Sequence, residues 1–138
     1  MERTFQTLAE LQAFASDFAR TLRAGDVVAL GGPLGAGKTT FVRAAVSALL
    51  GDDRATSPTF TFWHRYDGTP PIDHIDLYRI AAPAELAELG LEEAFDSRSI
   101  VFVEWWENAP SLVPAGRYEI VLSGSGSEPR RLEMRHNV

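Results

Sequence analysis

Val27-Val28-Ala29-Leu30-Gly31-Gly32-Pro33-Leu34-Gly35-Ala36-Gly37-Lys38-Thr39-Thr40 is the stretch on which the fold of this chain turns. Its first four residues form an unbroken apolar run between Asp26 and Gly31, the pattern of a strand buried on both faces of a parallel sheet. A glycine-rich bend follows. From Lys38 to Leu50 the period changes, and Phe41, Val42, Ala45, Val46 and Leu49 share one helical face before Gly51 stops the segment. Strand, bend and helix in that order predict an α/β domain.

Within the bend, Gly32 to Thr39 reads G-x-x-x-x-G-K-T, the phosphate-binding pattern. Each part has a physical reason. The glycines let successive backbone N–H groups converge on a polyanion without side-chain clashes, and the helix points its partial positive charge at the same place. Leu34, Gly35, Ala36, Gly37, Lys38, Thr39 and Thr40 are therefore the expected nucleotide contacts, with the Thr39 hydroxyl on Mg²⁺. Of the 13 basic residues 12 are arginine, and the single lysine is Lys38, where a compact ammonium and a planar guanidinium are not interchangeable.

Outward from this core, Thr7-Leu8-Ala9-Glu10 reads as a capping box. Leu8, Leu11, Phe14, Ala15, Phe18 and Leu22 follow at helical spacing, and Gly25 closes the segment. On the other side, residues 60–66 alternate, Asp67 to Pro71 turn, and Ile72 to Asp76 return, which predicts an antiparallel hairpin. Pro83 can open a helix through Leu89, with Gly90 interrupting it before Leu91 to Phe95. Ile100 to Val103 is a second buried-type strand ending in Glu104. A last hairpin runs through Tyr118, Ile120 and Leu122 and back through Leu132 and Met134. The expected whole is a single P-loop domain over residues 1–138, with a mixed, mainly parallel sheet flanked by helices and antiparallel hairpins.

Composition narrows the function. The chain has no cysteine, which excludes disulfides, thiol nucleophiles and thiolate metal sites. Its net charge is −6, and the longest basic cluster is Arg130-Arg131, so a nucleic-acid role is expected to run through a partner. No apolar run exceeds four residues, and Glu2, Glu10 and Asp17 interrupt the N-terminal region, so no membrane segment and a cytoplasmic location are expected.

A phosphate loop needs an acid at the end of a buried strand to orient the metal. Glu104 and Asp76 both qualify, although Asp73 and His74 make the strand before Asp76 look less buried. Mg²⁺ is hard and keeps several waters, so one or two carboxylates suffice. Thr59 lies in the loop after the helix, where nucleotide switches place a phosphate or metal sensor. His64, His74 and His136 show no metal-ligand spacing, and Trp105-Trp106 is most simply core or interface aromatic mass. Arg65, Arg79 and Arg98 are the candidates for an arginine finger, unless a partner supplies one. No N-K-x-D or T-K-x-D is present for guanine, which favours adenine.

The strings GGPLGAGKTTF, SPTF, HIDLYR, ELAELGLEEAF and VEW occur in the order and spacing of the TsaE (formerly YjeE) family, which the chain resembles from about Thr7 to Met134. The resemblance implies an ATPase needed to form threonylcarbamoyladenosine in tRNA, acting with a TsaB–TsaD heterodimer and touching tRNA only through it. It also implies that Thr39 and Glu104 ligate Mg²⁺, that Asp76 orients the metal or water, and that Thr59 belongs to a switch loop. Thr7 and Arg130 match positions near the nucleotide. Pro33 stands where the family often has an acid, and Trp106 where a proline is frequent.

Two other functions fit the motif. A small-molecule kinase would need an acceptor pocket and an arginine-rich lid, for which the segments between Thr59 and Ser99 are short. A non-catalytic module would use ATP only to bias a binding surface.

Overall fold

In the computed structural model, which describes residues 1–52, 62–79 and 90–136, seven strands form one sheet. They are β1 (Glu2–Phe5), β2 (Val27–Gly31), β3 (Trp63–Tyr66), β4 (Ile72–Asp76), β5 (Ile100–Glu104), β6 (Tyr118–Ser123) and β7 (Arg130–His136). The order across the sheet is β1-β7-β6-β2-β5-β4-β3. β6, β2, β5 and β4 are mutually parallel, and β1, β7 and β3 add antiparallel edges. The mixed sheet with a parallel centre is the architecture that the sequence predicts.

Two helices, α1 (Leu8–Ala19) and α2 (Lys38–Leu50), pack together on one face. Leu11, Phe18, Phe41, Val42 and Val46 bury there against Val28, Leu30, Phe102 and Ile120. Phe41, wholly buried, lies 6.4 Å from Phe14 and 6.1 Å from Phe18 between ring centroids, and burying such a side chain contributes roughly 1.5–3 kcal/mol. Among the described residues the opposite face is covered without a long helix. Leu77, a 3-10 turn at Leu91–Phe95, and the segment from Trp105 to Val113 lie over Val27, Ala29, Val101 and Val103.

Two local expectations change, and one strand is added. α1 ends at Ala19 because the amides of Thr21 and Leu22 turn back to Phe18 and Ala19, tightening the last turn, so Leu22 reaches the core from beyond the helix. Leu8, placed on the apolar face by spacing, is 42% exposed. The N-terminal strand β1 has no clear periodicity and owes its form to pairing with β7. The helix expected from Pro83 to Leu89, and residues 60–61 of the expected hairpin, lie outside the described residues. Among the described residues no helix is long and apolar enough to cross a membrane.

β4 is buried despite its polar sequence, because its polar groups find partners. Asp73, fully buried, accepts from Trp63 Nε1, Arg65 Nε and Nη2, and Ser99 Oγ at 2.6–2.9 Å. Burial pushes its carboxyl up, but these hydrogen bonds and the Arg65 charge hold it below the usual carboxylate range. A depressed value means that Asp73 adds stability above the unfolded value of 3.8 and loses it as pH falls through the lower folded value. Asp73→Ala is expected to lower the unfolding free energy by about 3 kcal/mol at pH 7. Urea titrations should show the gap to wild type narrowing below pH 3.8.

Candidate functional site

Three glycines of the bend between β2 and α2, Gly32, Gly35 and Gly37, lie in the left-handed region, and the first and last of them shape it. At Gly32 (φ +127°) a Cβ would lie 2.1 Å from the Leu122 carbonyl oxygen, so the loop presses directly on β6. Gly37 (φ +106°) is the N-cap of α2, and it offers no side chain to cap the helix. The first turn holds no acid either, so the N-terminal amides and partial positive charge of α2 are left for a ligand.

They open into a cavity of about 250 Å³. Among the predicted residues, Leu34, Gly35, Gly37, Lys38, Thr39, Thr40, Asp76, Glu104 and Arg130 line it. Ala36 is buried within the loop. Thr7 caps α1 by accepting from the Glu10 amide, and it is the next residue, Leu8, that reaches the cavity. The Glu10 carboxylate bonds to the Gln6 amide, one residue short of a reciprocal capping box. Thr59 lies outside the described residues.

β4 and β5 bring the two acids together, with Asp76 and Glu104 opposite each other in the parallel register. Glu104 is 2% exposed and is not a solvated strand end. Its Oε1 accepts from Thr39 Oγ1 at 2.8 Å and its Oε2 from His74 Nε2 at 2.5 Å. Asp76 accepts from the Tyr78 amide at 2.9 Å. Burial pushes the Asp76 carboxyl above its usual range and the Glu104 charge adds to this, against the Tyr78 amide, His74 and Lys38.

Lys38 is 4% exposed; its ammonium donates to the Gly32 carbonyl at 2.5 Å and sits 3.3 Å from the centroid of the Trp105 ring. Burial pushes its pKa down, against the pull of Glu104, Glu107 and Asp76. Arg130 is 5% exposed; among the described residues it donates only to carbonyls, those of Glu128, Gly126 and Gly35, and its Nε, also buried, has no partner. A buried cation with a spare donor beside a helix N-terminus suits an anion.

Sequence reasoning missed three contributors. Trp105 sits at φ +57°, unusual for a bulky residue, and this turns its ring beneath Lys38. Tyr78 packs on it at 4.9 Å. His74 is bonded to Glu104, and the available signal was alternation, which puts His74 on the same face as Asp76. The loops carrying these rings are laced together: Leu77 N–H donates to the Glu104 carbonyl, and Asn108 Nδ2 donates to the Leu77 carbonyl. Of the three arginine-finger candidates, Arg65 is committed to Asp73 and Arg98 pairs with Asp96, while Arg79 is exposed; none lines the cavity.

The donor set suits Mg²⁺. Among the described residues no three His, Cys, Asp or Glu side chains cluster as a complete metal cage. One hydroxyl and two carboxylates at a cavity large enough for phosphate and water are what Mg²⁺ ordinarily takes from a protein.

The chain matches the model of the family described as threonylcarbamoyl adenosine biosynthesis protein TsaE over residues 5–132. It is 37% identical over 124 residues to the tRNA threonylcarbamoyladenosine biosynthesis protein TsaE of Bacillus subtilis (strain 168), covering 89% of this chain and 77% of that one. With the protein of the same description from Rickettsia bellii (strain RML369-C) it shares 41% identity over 116 residues, 82% of this chain and 79% of the relative. The crystal structure of Bacillus subtilis YdiB superposes with a TM-score of 0.82 at 32% identity, covering 100% of this chain and 86% of that one.

The raised Asp76 value has a consequence for stability. Folded Asp76 holds its proton more tightly than unfolded Asp76, so stability falls as pH rises from 3.8 through the raised value. Asp76→Asn removes that loss. It should melt a few degrees above wild type at pH 7 by circular dichroism, with the difference shrinking as pH is lowered towards 3.8.

Proposed function

The chain belongs to the TsaE family, and from that premise we propose that it is a Mg²⁺-dependent ATPase subunit required to form N6-threonylcarbamoyladenosine in tRNA. Its partner is a TsaB–TsaD-like complex that carries the tRNA, in keeping with a net charge of −6 and the absence of any long basic run. The observation that carries the reading is the uncapped N-terminus of α2 opening into the same cavity as Thr39, Asp76 and Glu104.

The geometry supports the following division of roles. The α2 amides and the residues Leu34 to Thr40 receive the phosphates, and Arg130 offers its spare donor beside them. Lys38 exchanges the Gly32 carbonyl for phosphate oxygens. Thr39 and Glu104 hold the metal, which when bound neutralises charge on the phosphoryl oxygens. Asp76, poised by burial to accept a proton, orients the water that attacks the γ-phosphorus as the bond to the ADP oxygen breaks. Among the described residues Arg130 is the one arginine that lines the cavity, which supports a turnover that stays slow until a partner completes the site.

Reconstitution with TsaB- and TsaD-like partners tests this. Lys38→Ala and Glu104→Ala should each lower ATP hydrolysis by about 100-fold or more and abolish tRNA modification, with circular dichroism unchanged. Wild-type hydrolysis should rise when the partners are added. Label from the γ-phosphate appearing on a metabolite instead of as free phosphate would replace the ATPase reading with a kinase.

A further inference from the structure

Glu104 has three rotatable bonds before its carboxylate, yet the site needs that carboxylate in one orientation. Thr39 on α2 holds one oxygen. The other is held from β4 by His74, 1% exposed, at 2.5 Å. A carboxylate oxygen is the acceptor in such a bond, which makes His74 Nε2 the donor. The Thr39 hydroxyl, having given its one hydrogen to Glu104, keeps its lone pairs for a cation. The plane of the Glu104 carboxylate and the direction of the Thr39 lone pairs are thus both set by a bond made from the neighbouring strand. Alternation places His74 and Asp76 on the same face of β4, so one strand both supplies an acid and aims the other.

We propose that His74 is a positioning residue of the Mg²⁺–nucleotide site, acting through Glu104 by donating its Nε2 hydrogen to Oε2. The proposal rests on the ATPase reading. It says that His74 sets how well the site uses Mg²⁺ and leaves the metal-independent grip of the phosphate loop unchanged. Groups that orient a metal ligand typically alter metal affinity by about 10–100-fold when removed.

Gln and Asn carry the same amide and differ by one methylene; Gln brings an N–H to the reach of Nε2, and Asn falls short. With a fluorescent ATP analogue titrated at fixed Mg²⁺ concentrations, His74→Asn should need about tenfold more Mg²⁺ to reach wild-type affinity, while binding without Mg²⁺ is unchanged. His74→Gln should stay within about threefold of wild type. Long-range ¹H–¹⁵N spectra of the wild-type imidazole should show Nε2 protonated, with a shift on Glu104→Gln. Equal Mg²⁺ dependence in the Asn and Gln variants, whether both normal or both impaired, overturns the proposal, as does a bare Nε2. If wild-type binding does not respond to Mg²⁺ at all, the ATPase reading falls first, and this proposal with it.

Discussion

Glu104 is the point at which three elements meet. It ends β5, takes a hydrogen bond from α2 through Thr39, and takes another from β4 through His74. A carboxylate with 2% exposure is tolerated only when its oxygens are satisfied, because desolvation outweighs whatever a partial set of bonds returns. The bonding requirement therefore fixes the spacing between the helix and the sheet at the end where the glycine bend opens. The cavity has its shape because this charge must be satisfied where it is.

The molecule treats its buried charges in two ways, on opposite faces of the same strand. Asp73 is surrounded by donors and held ionised, and it fastens β3 to the parallel core. Around the cavity the charges are left less comfortable. Asp76 is pushed towards its neutral form, Lys38 is held down and shelters against a carbonyl and an indole, and Arg130 keeps a donor unused. Such groups weaken the fold locally and are retained where a charged ligand would relieve them.

The strand, bend and helix around Lys38 were legible because each rests on local chemistry: apolar runs, glycine dihedrals and a 3.6-residue period. Glu104 was legible for a similar reason, since a carboxylate closing an apolar strand stands out. What could not be read depends on which strands are neighbours. β4 looked half-polar, and only its placement between β3 and β5 reveals that Arg65, Trp63 and Ser99 satisfy Asp73 and that Glu104 satisfies His74. β1 is likewise the product of its partner at the far end of the chain. In sequence Trp105 reads as aromatic bulk, because nothing in a Trp-Trp pair announces a left-handed backbone. The family resemblance supplied Arg130, and the orphaned Nε now gives that position a physical reason of its own.

The lacing of the segments after β4 and β5 has a mechanical meaning. Leu77 is bonded to the Glu104 carbonyl on one side and to Asn108 on the other, and Tyr78 leans on Trp105. These segments cannot slide past each other without breaking hydrogen bonds, so they hold together as one unit. Its outer arm, Tyr78, is 51% exposed, and its inner arm is the indole on which the Lys38 ammonium rests. The exposed ring and the cation at the base of the phosphate loop are thus separated by a single indole, which touches both.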